Sequence, residues 1–338
     1  MKKTIFALIV LVLIAAAIIF LKGEPRPANQ LRIGYSPQSL IHSAIIVALE
    51  KGYFLDHGLE VETLPLSSGS DIRLALISGH IDVGSAGMAD MIPIIARGVP
   101  VKVITSMSVS PTYVFIRPDS GLRTFEDLYG KNVLVSPGGS NDLAFRAAMN
   151  KEGIDVDKMK FIDVDQVNRV ATLMGLKLAD AAVFSGEDLG NFVKAGGVVL
   201  PEWKEKGYLD FLYPRASILT SVQFLADHED LFEKFLDAYG DAQRLIQNDP
   251  QEAAVVTAKH ILEHTEKAVD YSPEFIVGEW QNGIRMTVWQ DPATGMKMAE
   301  ESRRLGILDR DLAVEDIYDL RFAEKLSKLQ EDIYGSKN

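Results

Sequence analysis

Cysteine is absent from the 338 residues of the chain. That absence excludes a disulfide framework, a zinc–thiolate or iron–sulfur site, a cysteine nucleophile and a diacylglyceryl lipoprotein anchor. An excess of basic residues is absent too. Lys and Arg number 35 against 47 Asp and Glu, a net charge of −12, so the chain has no electrostatic footprint for nucleic acid. No Walker A loop, nucleophile elbow or dinucleotide glycine fingerprint occurs, and the histidines other than His260 and His264 are scattered. Nothing in this inventory demands catalysis, a metal or a cofactor. What remains is ordinary globular usage, with 47% apolar and 24% charged residues over a length that suits two domains.

One long apolar run is present, at the very start. Lys2 and Lys3 precede an uncharged segment from Ile5 to Leu21, and Lys22 closes it. A helix over this segment rises about 25 Å, the short end for a hydrocarbon core of roughly 30 Å. The order, a basic stretch and then an apolar one, is that of an export signal. Cleavage at Ala15-Ala16-Ala17 would leave Ile18-Ile19-Phe20-Leu21 as an apolar new terminus, so residues 1–22 are expected to stay attached as an anchor. Residues 23–30, with Pro25 and Pro27, read as a linker to an extracytoplasmic remainder.

From Leu31 the pattern alternates short β-rich runs with helical stretches, the signature of a parallel α/β chain. Strands are expected at Leu31–Tyr35, Leu59–Leu64, Asp82–Ala86 and Val101–Ser106, then at Thr112–Arg117, Asn132–Ser136, Lys160–Val164 and Asp180–Phe184. After Ser221 the chain turns mainly helical. The two series echo each other. Arg73 to Gly79 followed by Asp82-Val-Gly-Ser-Ala sits against Arg169 to Gly175 followed by Asp180-Ala-Ala-Val-Phe. A second echo pairs Gly69-Ser70-Asp71 with Gly139-Ser140-Asn141-Asp142. Asp82 and Asp180 are expected to fix turns rather than to act as acids.

In open α/β sheets ligands bind beyond the carboxyl ends of strands, where loops enter helix N-termini. That rule selects the loops around Ser36–His42, Ser67–Asp71, Ser85–Asp90, Pro137–Asp142 and Ser185–Asp188. The candidate ligand residues are Tyr35, Ser36, Gln38, His42, Ser67, Ser70, Gly87, Met88, Ser140, Asn141, Asp142, Ser185, Glu187 and Arg215. Small polar side chains there let backbone N–H groups face a ligand, and a helix N-terminus favours an anion. Arg215 could clamp an anionic group, whereas Glu187 would attract an amine or ring N–H, so the polarity of the pocket stays open. His260-Ile-Leu-Glu263-His264 matches the spacing of inverted zinc peptidases. On a 3.6-residue helix, however, the expected core stripe is Ala254, Val255, Ala258, Ile261 and Leu262, which leaves His260, Glu263 and His264 on a solvated face.

These residues carry a family likeness. Ile33-Gly-Tyr-Ser-Pro, Ala48-Leu-Glu-Lys-Gly-Tyr-Phe54, Ala75-Leu-Ile-Ser-Gly-His-Ile-Asp82 and Val135-Ser-Pro-Gly-Gly-Ser140 resemble the nitrate/sulfonate/taurine and thiamine-precursor substrate-binding proteins of ABC importers. The resemblance spans about Leu31 to Leu326. It implies a two-lobed periplasmic-binding-protein fold of the second type, with residues 31–108 and 215–338 forming one lobe and 109–214 the other. The crossover strands would fall near Ser106–Thr112 and Leu212–Ser217. It implies a monomer that needs no cofactor, closes on one small molecule and docks on a permease with its ATPase. Tyr35-Ser-Pro-Gln38, His42 and Phe184-Ser-Gly-Glu187 resemble the thiamine-precursor branch, in which Tyr35 would stack on a heteroaromatic ring while His42 and Glu187 hydrogen-bond it. A sulfonate or nitrate would rest instead on Ser70, Ser140, the helix N-termini and Arg215. The reading leans to the heterocycle. A same-fold enzyme of cofactor biosynthesis and a membrane-tethered sensor are the rival classes.

Overall fold

Apolar, β-branched runs become strands, and the order in which they pair decides where a cleft can open. The computed structural model describes residues 27–66, 68–164, 168–264 and 271–335. The expected anchor at Ile5–Leu21 lies outside the described residues. Among the described residues, two sheets form. The first has the order β11–β4–β10–β3–β1–β2, made of β1 (Gln30–Tyr35), β2 (Glu60–Pro65), β3 (Val83–Ala86), β4 (Val101–Ser110), β10 (Tyr213–Ser221) and β11 (Arg285–Met286). The second has the order β7–β6–β8–β5–β9, made of β5 (Thr112–Ile116), β6 (Asn132–Leu134), β7 (Lys160–Ile162), β8 (Ala181–Ser185) and β9 (Val198–Val199). Each sheet carries its own buried apolar clusters, and the residues from Leu31 onward form one compact unit.

The sheets are mixed, which corrects the expectation of a parallel α/β chain. β3 runs parallel to β1 but antiparallel to β10, and β8 runs parallel to β6 but antiparallel to β5. The antiparallel strands are the ones that pass between the halves. β4 ends at Ser110, Pro111 intervenes, and β5 begins the second sheet at Thr112. The return enters the first sheet at Tyr213, so β10 lies between β4 and β3. β5 is buried along its whole length, as a strand covered on both faces must be, and so reads as a continuous apolar run rather than an alternating one.

The two sheets have the same plan, with β1, β2, β3, β10 and β4 matching β6, β7, β8, β5 and β9. The first sequence echo marks this equivalence. Asp82 accepts a hydrogen bond from the Arg32 amide at 2.8 Å and pairs with its guanidinium at 2.7 Å. Asp180 accepts from the Asn132 amide at 2.9 Å. Arg32 and Asn132 each stand one residue before the first parallel register pair, Ile33 with Val83 and Val133 with Ala181. The two aspartates thus latch β1 to β3 and β6 to β8. The second echo does not mark equivalent positions. The helix Gly69–Ile77 follows β2, whereas Ser140–Lys151 follows β6, the counterpart of β1. In the first half Gly79 follows the helix with φ 73°, but in the second half the positive φ falls on Lys177. There the chain over Ala171–Gly175 is wound as a π-helix.

The histidine motif is also corrected. On the helix Pro250–Glu263 the buried side includes Ala253, Ala254, Thr257, Ala258, His260 and Ile261, while Val255 and Leu262 are exposed. Three helices, at Ser43–Glu50, Glu229–Asn248 and Pro273–Asn282, pack on this one and widen its buried arc past the stripe that hydropathy alone selects. His260 is stabilised there by Glu50, 2.7 Å from Nδ1, and by the Tyr35 hydroxyl, 2.9 Å from Nε2. Within the described residues no cluster of three metal-ligating side chains occurs, and no helix is long and apolar enough to cross a membrane.

Candidate ligand-binding cleft

A cleft of about 550 Å³ opens between the two halves, where the carboxyl ends of β1, β3 and β8 lead into helix starts. Its walls include Ser36, Ser39, His42, Ser70, Gly87 and Asp90 from the first half, and Ser136, Ser140, Asn141, Asp163, Arg169, Ser185 and Glu187 from the second. The helices Gly69–Ile77, Met88–Ala96 and Ser140–Lys151 begin at this wall, so unsatisfied backbone N–H groups converge on it.

Arg215 lines the cleft from β10, at the seam of the halves. The ladder between β10 and β4 skips a register between Pro214 and Ala216, so Arg215 is the extra residue of a bulge. Pro214 has no N–H to lose at such a site, and a bulge re-aims the side chain it carries. Arg215 is only 6% exposed. Its Nε donates to Ser110 Oγ at 2.8 Å, Nη2 to the Ser110 carbonyl and Thr112 Oγ1, both at 2.9 Å, and Nη1 to Asn141 Oδ1 at 2.6 Å. One guanidinium therefore ties the crossover on both sides of Pro111 to the start of a second-half helix. Trp203 adds to the tie, its indole N–H donating to the Thr112 carbonyl at 2.9 Å. Burial pushes Arg215 down to about 9. Among the described residues no carboxylate forms an ion pair with it; its hydrogen-bond partners are neutral, and the Glu187 carboxylate acts on it only from beyond ion-pair distance.

The acidic groups of the cleft are differently held. Glu187 reaches across from the second half, its Oε1 accepting from Ser39 Oγ at 2.6 Å and from the Leu40 amide at 3.0 Å. Burial raises the Asp90 carboxyl to about 6. Asp90 lies close against Gly87, where a Cβ would stand 2.7 Å from Asp90 Oδ2 and 3.6 Å from Ser140 Oγ. Ser140 Oγ is buried without a hydrogen-bond partner. Asp163 accepts from Ser136 Oγ at 3.2 Å, and Arg169 donates to the same hydroxyl at 3.1 Å while stacking 4.1 Å above the Phe184 ring. His42 is buried with Nδ1 against the backbone of Ser36, and burial lowers its pKa, favouring the neutral ring.

Nine of the expected residues line this cleft: Ser36, His42, Ser70, Gly87, Ser140, Asn141, Ser185, Glu187 and Arg215. Four lie elsewhere. Tyr35 is in the core on His260, and exposed Gln38 donates to the His264 carbonyl at 2.6 Å. Met88 is buried with its sulfur 3.3 Å from the Tyr318 hydroxyl. Asp142 accepts from the Gly138 amide at 2.9 Å and from Arg146 at 2.7 Å, which turns it into its own loop. Ser67 lies outside the described residues. Ser39, Asp90, Ser136, Asp163 and Arg169 were not singled out by the sequence, although Arg169 opens the repeated segment that begins at Arg73 in the first half.

Comparison with known proteins gives the same architecture. A family model described as NMT1/THI5 like matches residues 40–253. A Brucella abortus protein, provisionally named as a binding protein, is 24% identical over 231 residues, covering 68% of this chain and 71% of that one. A 4-amino-5-hydroxymethyl-2-methylpyrimidine phosphate synthase of Saccharomyces cerevisiae is 34% identical, but over only 94 residues, 27% of this chain and 28% of the enzyme. Among solved structures, the alkanesulfonate-binding protein SsuA of Xanthomonas axonopodis pv. citri, bound to MOPS, superimposes with a TM-score of 0.68 at 17% identity, covering 87% of this chain and 99% of that one. The periplasmic nitrate-binding protein NrtA of Synechocystis PCC 6803 gives 0.66 at 14% identity, covering 90% and 89%. The fold is that of the periplasmic binding proteins.

Proposed function

The chain belongs to the NMT1/THI5-like family, and from that premise we propose that it is the extracytoplasmic solute-binding component of an ABC importer, closing its cleft on one small solute that bears an oxyanion. The observation that carries the reading is Arg215, a buried guanidinium at the seam of the halves with no carboxylate in ion-pair contact among the described residues, Glu187 acting on it only at longer range. A buried charge is costly without a counter-charge, and an anionic ligand supplies one together with an acceptor for Ser140 Oγ. The converging helix N-termini favour the same sign of charge.

The heterocycle reading has less support. Apart from the His42 imidazole, the described cleft lining contains no aromatic ring, and Tyr35 is engaged in the core. A synthase reading rests on a likeness to less than a third of the yeast enzyme.

Binding would act by population shift, since a ligand touching both halves favours the closed arrangement only by its differential affinity for it. The closed form would dock as a monomer on a permease with its ATPase, held near the membrane by Ile5–Leu21. Thermal unfolding of the full chain against sulfonates, nitrate, carboxylates and pyrimidines tests the proposal. A ligand at about a thousand times its dissociation constant adds roughly 4 kcal/mol and moves the midpoint by several degrees. A shift with an oxyanion, reduced in Arg215→Lys, is expected. Absence of any oxyanion shift, a pyrimidine shift that Arg215→Lys abolishes, or recovery of a chemically altered solute after incubation overturns the reading.

A further inference from the structure

The cleft is smaller than a second recess of the molecule. A recess of about 690 Å³ lies at the β11 edge of the first sheet, bounded by the ends of the crossover strands at Val109 and Tyr213 and by the helices Pro292–Arg304 and Ala323–Tyr334. Its volume is that of a small-molecule site, and such sites carry a few placed polar groups on apolar walls. The aromatic residues Phe211, Tyr213 and Trp289 are part of its lining.

Among the described residues, two polar atoms of side chains that line this recess lack partners. Gln330 is 7% exposed, and its Oε1 accepts from Thr287 Oγ1 at 2.9 Å, the Val288 amide at 2.8 Å and the Trp289 amide at 3.2 Å. Two of those donors are backbone N–H groups, which fixes the orientation of the amide. Its Nε2 is left as a buried donor without an acceptor. Glu301, on the facing helix, pairs with Arg304 through Oε1, and its Oε2 is a buried acceptor without a donor. Unmatched buried polar atoms of this kind are costly and call for an explanation. Carboxylates also dominate the lining, five against the two cations Arg285 and Lys297.

We propose that this recess is a second small-molecule site, taking a flat, neutral or cationic molecule that presents a hydrogen-bond acceptor to Gln330 and a donor to Glu301. Amide-bearing aromatic rings and amino-substituted nitrogen heterocycles have this edge. The site goes beyond the anion cleft and does not depend on it, yet the two share a wall. Tyr213 lines the recess while Arg215 lines the cleft, with the guanidinium 5.8 Å from the Tyr213 ring centroid. Occupancy of one cavity would therefore be felt at the other.

Nicotinamide and cytosine serve as probes, and benzoate as a control of similar size with the wrong charge. Saturation-transfer NMR on the full chain detects their binding at millimolar ligand. Saturable binding of at least one neutral probe is expected, weakened about tenfold in Glu301→Gln, lost in Thr294→Phe, which fills the recess, and retained in Arg215→Lys. Absence of saturable binding by both probes overturns the site. So does binding that survives Thr294→Phe, that disappears with Arg215→Lys, or that benzoate matches. Far-ultraviolet circular dichroism of each variant separates loss of the site from loss of the fold.

Discussion

Glu187 Oε1 stands 2.6 Å from Ser39 Oγ, so a carboxylate of the second half is hydrogen-bonded by the first across the cleft. The same oxygen also takes the Leu40 amide, and charge-assisted bonds are about twice as strong as neutral ones. In the closing proposed above, the carboxylate acts as a latch. Glu187→Gln should raise the open population, seen as a larger radius of gyration in ligand-free solution scattering. Ligand affinity should fall by about tenfold, or about 1.4 kcal/mol. An unchanged scattering profile together with unchanged affinity would remove the latch.

Arg215 makes a sharper demand. Its fork reaches Ser110, Thr112 and Asn141 at once, which an ammonium on a flexible stem cannot reproduce. Arg215→Lys should lower oxyanion affinity by at least about thirtyfold, in line with the roughly 2–5 kcal/mol lost when a desolvated charge pair is broken. Isothermal calorimetry reads the change directly.

Asp90 sets a dependence on pH. Burial lifts its folded pKa to about 6, above the ordinary carboxyl value of 3.8, so the folded protein binds the proton more tightly than the unfolded chain does. The stability linked to it is present in full below the unfolded value and is lost as pH rises through about 6. Asp90→Asn should remove this slope and stabilise the protein at pH 8 by up to about 3 kcal/mol, taking about 1.4 kcal/mol per pKa unit. Anion affinity should also become less sensitive to pH between 5 and 7, because the neighbouring negative charge no longer appears. Urea midpoints for the wild type and the variant across that range decide the matter.

The paired latches predict an order of cost. Asp82 is 5% exposed and ion-paired to Arg32 at 2.7 Å, whereas Asp180 is 32% exposed and its pair with Arg117 is long, at 3.9 Å. Asp82→Ala should cost about 2–3 kcal/mol and Asp180→Ala about 1 kcal/mol, since loss of a partner leaves more uncompensated polarity the deeper it lies. Equal shifts of the urea midpoint would deny that the two positions differ in burial.

Much of this was readable before any coordinates. The expected strand runs fall within a few residues of β1 to β8, because turn residues bounded each apolar run. The loops at their carboxyl ends supplied eight of the nine expected residues that line the cleft, and Arg215 on β10 is the ninth. What escaped depended on neighbours distant in sequence. Tyr35 read as a stacking platform because nothing local announces a histidine 225 positions later. His260 read as solvated because hydropathy ranks it polar, while packing by three helices and the Glu50 carboxylate made a place for it inside. The helix Ala323–Tyr334 went unread, and Gln330 on it gains its meaning only from backbone amides some forty positions earlier. Pro214 was the one strong local sign of the bulge that aims Arg215.

The position of β10 between β3 and β4 also bears on synthesis. β5 to β9 follow one another along the chain, so the second sheet can form from a continuous stretch. The first cannot, because the open edge of β3, which ends at Ala86, waits for a partner that begins 127 residues later at Tyr213. At about 5–20 residues per second a ribosome needs roughly 6–25 s to supply it. For that interval β3 offers unpaired backbone to any passing strand, and a holdase that binds nascent or translocating chains would have its most valuable substrate there.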